Sequence, residues 1–196
     1  MWWVELLNSI VALLNGSTGG GGGSYESIAT VTAAGSETTL SFTSIPSTYQ
    51  HLQIRASVRT LRALAGTDSM TVRFNSDSGS NYAHHRLTGD GSTAAAGATA
   101  ATTTASIINT ATVCESSTAN IFAANIIDIH DYASTTKNKT MRAFSGGNGN
   151  TADTAFVMGL SSGLWVNTAA ITSITFGNSF GFKVGSVFSL YGIKGA

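Results

Sequence analysis

Acid and base lie closest together in ANIIDIHDYAS, where strand alternation sets Asp128 and His130 on one face and Asp131 on the other. A carboxylate and an imidazole can touch in that arrangement, which would suit a hydrolase. Serine-type acyl chemistry also needs a serine on a strained turn with oxyanion donors beside it; no Gly-x-Ser-x-Gly elbow is expected, and in so serine-rich a chain proximity to His130 carries little weight. Structural hydrogen bonding is the stronger expectation for this cluster. In YAHHRL the adjacent His84 and His85 point to opposite faces of a strand, the wrong geometry for a shared metal. NSDSGSN, from Asn75 to Asn81, has the oxygen-rich side chains of a calcium loop, but only one carboxylate and no closing glutamate, so it reads as a hairpin connection. GNGN at 147–150 is a loop with no helix after it to cradle a phosphate. The single Cys114 excludes an intrachain disulfide and reads as a small buried hydrophobe. Asn15-Gly16-Ser17 and Asn138-Lys139-Thr140 are formal glycosylation sequons, a pattern that chance readily produces. No metal, cofactor or catalytic residue emerges.

Arginines and aromatic residues offer binding in place of catalysis. Arg55, Arg59, Arg73 and Arg86 lie on candidate strands, and Arg55 and Arg59 share the polar face of theirs. With Tyr82, Tyr132 and Trp165 they could form a sugar-binding surface, of which Arg55, Arg59, Tyr132 and Trp165 are the principal candidates. The competing expectation is a solvated sheet face with subunit-bridging ion pairs. It takes precedence because the sequence does not show that these side chains converge. Ten basic and ten acidic residues leave a formal net charge of zero, and six scattered arginines make no footprint for a phosphate backbone, which excludes nucleic acid as the expected partner.

These residues must be positioned by strands. In HLQIRASVRT, Leu52, Ile54, Ala56 and Val58 face one way and Gln53, Arg55, Ser57 and Arg59 the other. Similar alternation runs through Leu40 and Phe42, through Met70, Val72 and Phe74, from Ile121 to Tyr132, through Phe156, Met158 and Leu160, through Thr172, Ile174 and Phe176, and from Val187 to Ile193. Turn-rich stretches separate these runs. About eight to ten short strands with no helical stretch among them predict an all-β fold, a jelly-roll-like antiparallel β-sandwich over residues 25–196. GDGSTAAAGATAATTTAS, residues 89–106, lacks a large apolar anchor and reads as a mobile surface loop, or as a flat strip against a neighbouring subunit.

Ahead of the sandwich stands a different kind of sequence. MWWVELLNSIVALLN, residues 1–15, reads at helical period with Trp2, Trp3, Leu6, Leu7, Ile10, Val11 and Leu14 making a wide apolar face. At roughly 1.5 Å per residue its apolar run reaches only ~21 Å, too short for a bilayer core of ~30 Å, so no membrane span is expected. Glu5 and the absence of an early basic residue argue against a secretory signal. A lone helix of this length is marginal in water and must pack on copies of itself, on a partner or on its own body. Residues 16–24, with five consecutive glycines, read as a flexible linker. The short N-terminal helix is therefore an anchoring or oligomerisation peg on a swivel.

Six stretches carry a resemblance: YESIATVT, LSFTSIPSTYQHLQIRASVRT, VRFNSDSGSNYAHH, IDIHDYAS with NKTMR, GLWVNTAAITSITF and GSVFSLYGI. In that order they resemble a group of small virion proteins of tailed bacteriophages, frequent in marine and cyanobacterial phages, over about residues 25–193. The resemblance implies a non-enzymatic structural component of the virion, with a β-sandwich displayed as part of a capsid decoration, fibre or tail. It implies other virion proteins, of capsid or tail, as partners, and brings no catalytic residues. Fibre-like phage proteins are often trimers, so a homotrimer with an N-terminal three-helix bundle is the expected assembly. The alternative class is a receptor- or glycan-binding adhesin recognising a host surface glycan. In GLWVNTAAITSITF, Trp165 is expected to cap the sandwich, Asn167 and Thr168 to close a turn, and Ala170 to Phe176 to form the next strand.

Overall fold

The computed structural model describes residues 24–63, 67–99, 104, 106–150 and 156–195. The expected helix over 1–15 with its anchor residues, and the linker as far as residue 23, lie outside the described residues. The described residues include twelve strands: β1 Tyr25–Thr32, β2 Thr39–Phe42, β3 His51–Val58, β4 Thr67–Phe74, β5 Tyr82–Gly89, β6 Ala94–Ala98, β7 Ile107–Val113, β8 Ala123–His130, β9 Lys139–Asn148, β10 Phe156–Trp165, β11 Ile174–Gly177 and β12 Val187–Ile193. No helix occurs among the described residues. The strands form an eight-stranded sheet in the order β1-β12-β3-β8-β9-β10-β5-β6 and a four-stranded sheet in the order β2-β11-β4-β7, both antiparallel.

Alternation decides which side chains lie between the sheets. Leu52, Ile54, Ala56 and Val58 of β3 are buried, as are Leu40, Phe42, Met70, Val72, Phe74, Ile174 and Phe176 from the small sheet. Phe176 stacks on Phe188 of the large sheet at 4.6 Å between ring centroids, and Phe182 meets Phe188 edge-on at 5.5 Å. A second aromatic cluster closes the other end, where Trp165 stacks on Tyr82 at 6.2 Å and lies 5.6 Å from Phe74. Each of these large side chains contributes roughly 1.5–3 kcal/mol by leaving water.

Three local expectations are corrected. Within the stretch expected to be a mobile loop, residues 94–98 form β6, an edge strand paired with β5. A small-residue strand needs no side-chain anchor when the neighbouring strand supplies its backbone hydrogen bonds. NSDSGSN is not a hairpin: it carries the chain from β4 in the small sheet to β5 in the large one. The strand after Trp165 starts at Ile174 and not at Ala170. The side chain of Asn75 captures the preceding backbone, accepting from the N–H of Thr172 at 2.8 Å and of Ser173 at 3.1 Å and donating to the carbonyl of Ala170 at 2.8 Å. Those groups are thereby satisfied outside any ladder.

Strand β10 departs most from a simple alternating pattern. Its large residues Met158 and Leu160 face solvent at about half exposure, whereas Gly159, Ser161 and Gly163 face inward. The inner side is crowded by β7, for a Cβ placed on Gly163 would stand 2.6 Å from Ile107 Cδ1. Gly147 of β9 is pressed in the same way, its notional Cβ falling 2.9 Å from Val113 Cγ1. Small residues inside let the sheets close, and the apolar bulk is left outside.

Candidate functional site

The four residues proposed as a ligand surface do not converge on one. Trp165 and Tyr132 are buried in the core, and Arg59 is buried beneath the loop after β7. Each has a structural partner in place of an open face. The Trp165 indole N–H donates to Asp77 Oδ2 at 2.7 Å, and that bond is the main cause holding the Asp77 carboxyl below its ordinary range. The Tyr132 hydroxyl donates to the carbonyl of Pro46, and burial raises its pKa. Arg59 gathers the carbonyls of Glu115, Ser117, Thr118 and Ile121 at 2.7–3.2 Å, organising residues 115–121 as a fixed loop. Period-two alternation had placed Arg59 on the polar face of β3, but that strand ends at Val58 and the chain turns inward beyond it.

Only Arg55 of the four is exposed. Its guanidinium lies 5.8 Å from the Tyr25 ring and 5.5 Å from the Tyr191 ring, partners distant in sequence that no local spacing reveals. From Arg55 a polar chain crosses the outer face. Arg55 Nε donates to Gln53 Oε1 at 3.0 Å, Gln53 Nε2 to Asp128 Oδ1 at 2.8 Å, and Arg142 Nε to Asp128 Oδ2 at 3.1 Å.

The acid and base candidates take different partners, with Asp131 Oδ1 standing 3.7 Å from His51 Nδ1. Asp128 belongs to that polar chain, while the His130 ring rests 4.8 Å from that of His51. Asp131, at a positive φ of 47° in the turn after β8, pairs with Lys137 Nζ at 2.7 Å, which is the main cause lowering its pKa. His84 is buried and His85 exposed, on opposite faces as the alternation requires, and burial lowers the pKa of His84. Cys114 is buried beside Ser116. The expected absence of a Gly-x-Ser-x-Gly nucleophile elbow is corrected: GLSSG at 159–163 fits that spacing. It runs straight through the middle of β10 with Ser161 buried, so it has neither the turn nor the exposed hydroxyl that the chemistry needs. Among the described residues, no group of three or more His, Cys, Asp or Glu could hold a metal ion. Among the described residues no helix is long and apolar enough to cross a membrane.

What the outer face does present is an apolar row. Leu87 of β5 pairs with Leu160 of β10, Leu160 with Phe144 of β9, and Phe144 with Ile126 of β8. These four stand side by side across four strands, 43–52% exposed, with Met158 beside them. Cross-strand register, invisible to any one strand's pattern, builds the row. It floors an open trough of about 580 Å³ whose polar edge includes His85, Asp128 and Arg142. A contiguous apolar strip of this kind marks a contact site on a soluble protein.

Comparison with known proteins adds no identity: no family model matches the chain, no curated protein matches its sequence, and no solved structure matches its fold.

Proposed function

We propose that the chain is a non-enzymatic structural protein of a bacteriophage virion. In this reading it attaches through its N-terminal segment and displays the sandwich as part of a capsid decoration, fibre or tail. One observation carries the assembly role: the in-register row Leu87, Leu160, Phe144 and Ile126 lies on the outer face of a sheet whose inner side is already closed. An assembly contact explains that apolar row; a reaction centre does not. The strand order supports the jelly-roll reading, since β1-β12-β3-β8 in one sheet and β2-β11-β4-β7 in the other is the wrapping of two Greek keys, with β5-β6 and β9-β10 widening the first sheet. The resemblance of residues 25–193 to small virion proteins of tailed phages supplies the particle. A homotrimer is the assembly proposed.

Immunogold labelling of purified phage particles with antibody against the sandwich is the test. Label at regular positions is expected, and unlabelled particles from a lysate that contains the chain would refute the assignment. Light scattering after gel filtration should give three chains per particle of the free protein, and a monomer at micromolar concentration would remove the trimer.

A second reading, an adhesin for a host surface glycan, is favoured by the Tyr25–Arg55–Tyr191 stack beside Gln53 and Asp128, where aromatic faces and hydroxyl-binding groups adjoin. A glycan array probed with the full chain should then give hits that Arg55→Ala and Tyr191→Ala both abolish. An array without hits ends that reading.

A further inference from the structure

We infer that the apolar row on the outer face of the large sheet is the socket for this chain's own N-terminal segment, Trp2 to Leu14. The inference rests on reading that segment as a peg, and it names what the peg enters.

Size is the first argument. From Ile126 to Leu87 the row crosses three strand spacings of ~4.8 Å, about 14 Å in all, and Met158 widens it. Read at helical period, Trp3, Leu7, Ile10 and Leu14 fall in line over about 17 Å. Four large apolar side chains thus meet a row of four, in the manner of a helix laid in a groove.

Reach is the second. Tyr25 lies on this same outer face, because its ring flanks the Arg55 guanidinium there. β1 stands three strands from β8, and Tyr25 is level with Ile193 and His51, about four residues along from Ile126. The separation is about 20 Å by strand geometry, and the nine residues 16–24 extend to roughly 30 Å. The near end of the row is therefore within reach of the chain's own segment, and the same linker serves a neighbouring copy lying alongside.

Composition is the third. The charges at the edge of the row, Asp128 and Arg142, are already paired with each other at 3.1 Å, so the row offers an apolar contact. Among residues 1–24 the sole charged side chain is Glu5, beside the apolar Trp2, Trp3, Leu6, Leu7, Ile10, Val11 and Leu14.

Tryptophan fluorescence of the full chain tests this directly, since Trp2 and Trp3 lie in the peg and Trp165 is a buried constant. Acrylamide should quench the native chain weakly. In the double variant Phe144→Ser/Leu160→Ser, both sites about half exposed, quenching should rise several-fold with a red shift, while circular dichroism stays that of a β-protein. Solution mass then tells whether the peg enters its own body or a neighbour's. Either result supports the socket, but entry into its own body removes the row as an assembly contact and the N-terminal segment as the attachment to a particle. Quenching unchanged by the double variant overturns it, whether the tryptophans are open in both proteins or protected in both by a bundle of pegs. A mass that falls in the double variant while quenching stays constant also overturns it, in favour of face-to-face contact between sandwiches. Loss of these results leaves particle labelling untouched, so the socket and the virion assignment fail separately.

Discussion

Trp165 shows how one residue type supports two opposed readings. An aromatic ring near arginines suits a sugar site, yet this ring lies between Tyr82 and Phe74 with its N–H spent on Asp77. Asp77 also accepts from Asn81 Nδ2 at 2.9 Å and from the N–H of Gly79 at 2.8 Å, so the loop with the oxygen-rich side chains of a calcium site is a structural turn around a carboxylate. Trp165→Ala should lower unfolding stability by about 3–5 kcal/mol, read from the denaturant midpoint, because a large cavity opens and Asp77 loses its indole donor. A variant with the native midpoint would remove Trp165 from the core. Glu37 offers a pH test. Its carboxylate accepts from the N–H groups of Ala34, Gly35 and Ser36 at 2.9–3.1 Å, and backbone hydrogen bonds lower its pKa from 4.5 to about 2. The unfolded chain binds the proton more readily, so this contribution is complete above about pH 4.5 and is lost as pH falls toward 2. Glu37→Gln should therefore flatten the melting temperature against pH across that window, and an unchanged slope would show that the cap contributes nothing.

At the scale of elements, the instructive pair is β10 and β7. β10 carries apolar bulk on its outer face and glycine or serine within, the reverse of β3, because β7 crosses closely over its inner side. Gly163→Ala should overpack this crossing and cost about 1–3 kcal/mol. Ile107→Val, which trims one methyl group from the opposing side chain, should recover part of the loss in the double variant, and additive losses would place the strain elsewhere. Alternation in the sequence correctly located most strands and chose the buried face of β3, since one buried face imposes period two. It could not choose the face of β10, because glycine and serine suit a crowded interior as well as a solvated surface. Edge strand β6 was hidden for a related reason. Its alanines carry no signal of their own, and its pairing with β5 is decided by open hydrogen-bonding groups on that neighbour.

For the whole molecule, a sandwich with an apolar row on its outer face should gain stability by covering it. If that cover comes from another copy, the melting temperature of the full chain should rise with protein concentration, through mass action on the folded, assembled state. If the peg folds back on its own body, the melting temperature should be constant over the same range. Differential scanning calorimetry over two decades of concentration distinguishes the two. The near-zero net charge fits such a molecule, since little long-range repulsion opposes the approach of copies.

The sequence by itself determined the all-β class, the approximate positions of most strands, the inward residues of β3 and β4, and the change of character before Tyr25. All of these follow from periodicity and composition, which are local quantities. Tertiary structure alone decided that Trp165, Tyr132 and Arg59 are interior, that Arg55 sits with Tyr25 and Tyr191, and that Leu87, Leu160, Phe144 and Ile126 form one row. Those facts depend on which strands are neighbours and in what register, and register is fixed by the closing of two sheets over a shared core, a condition that no single segment contains.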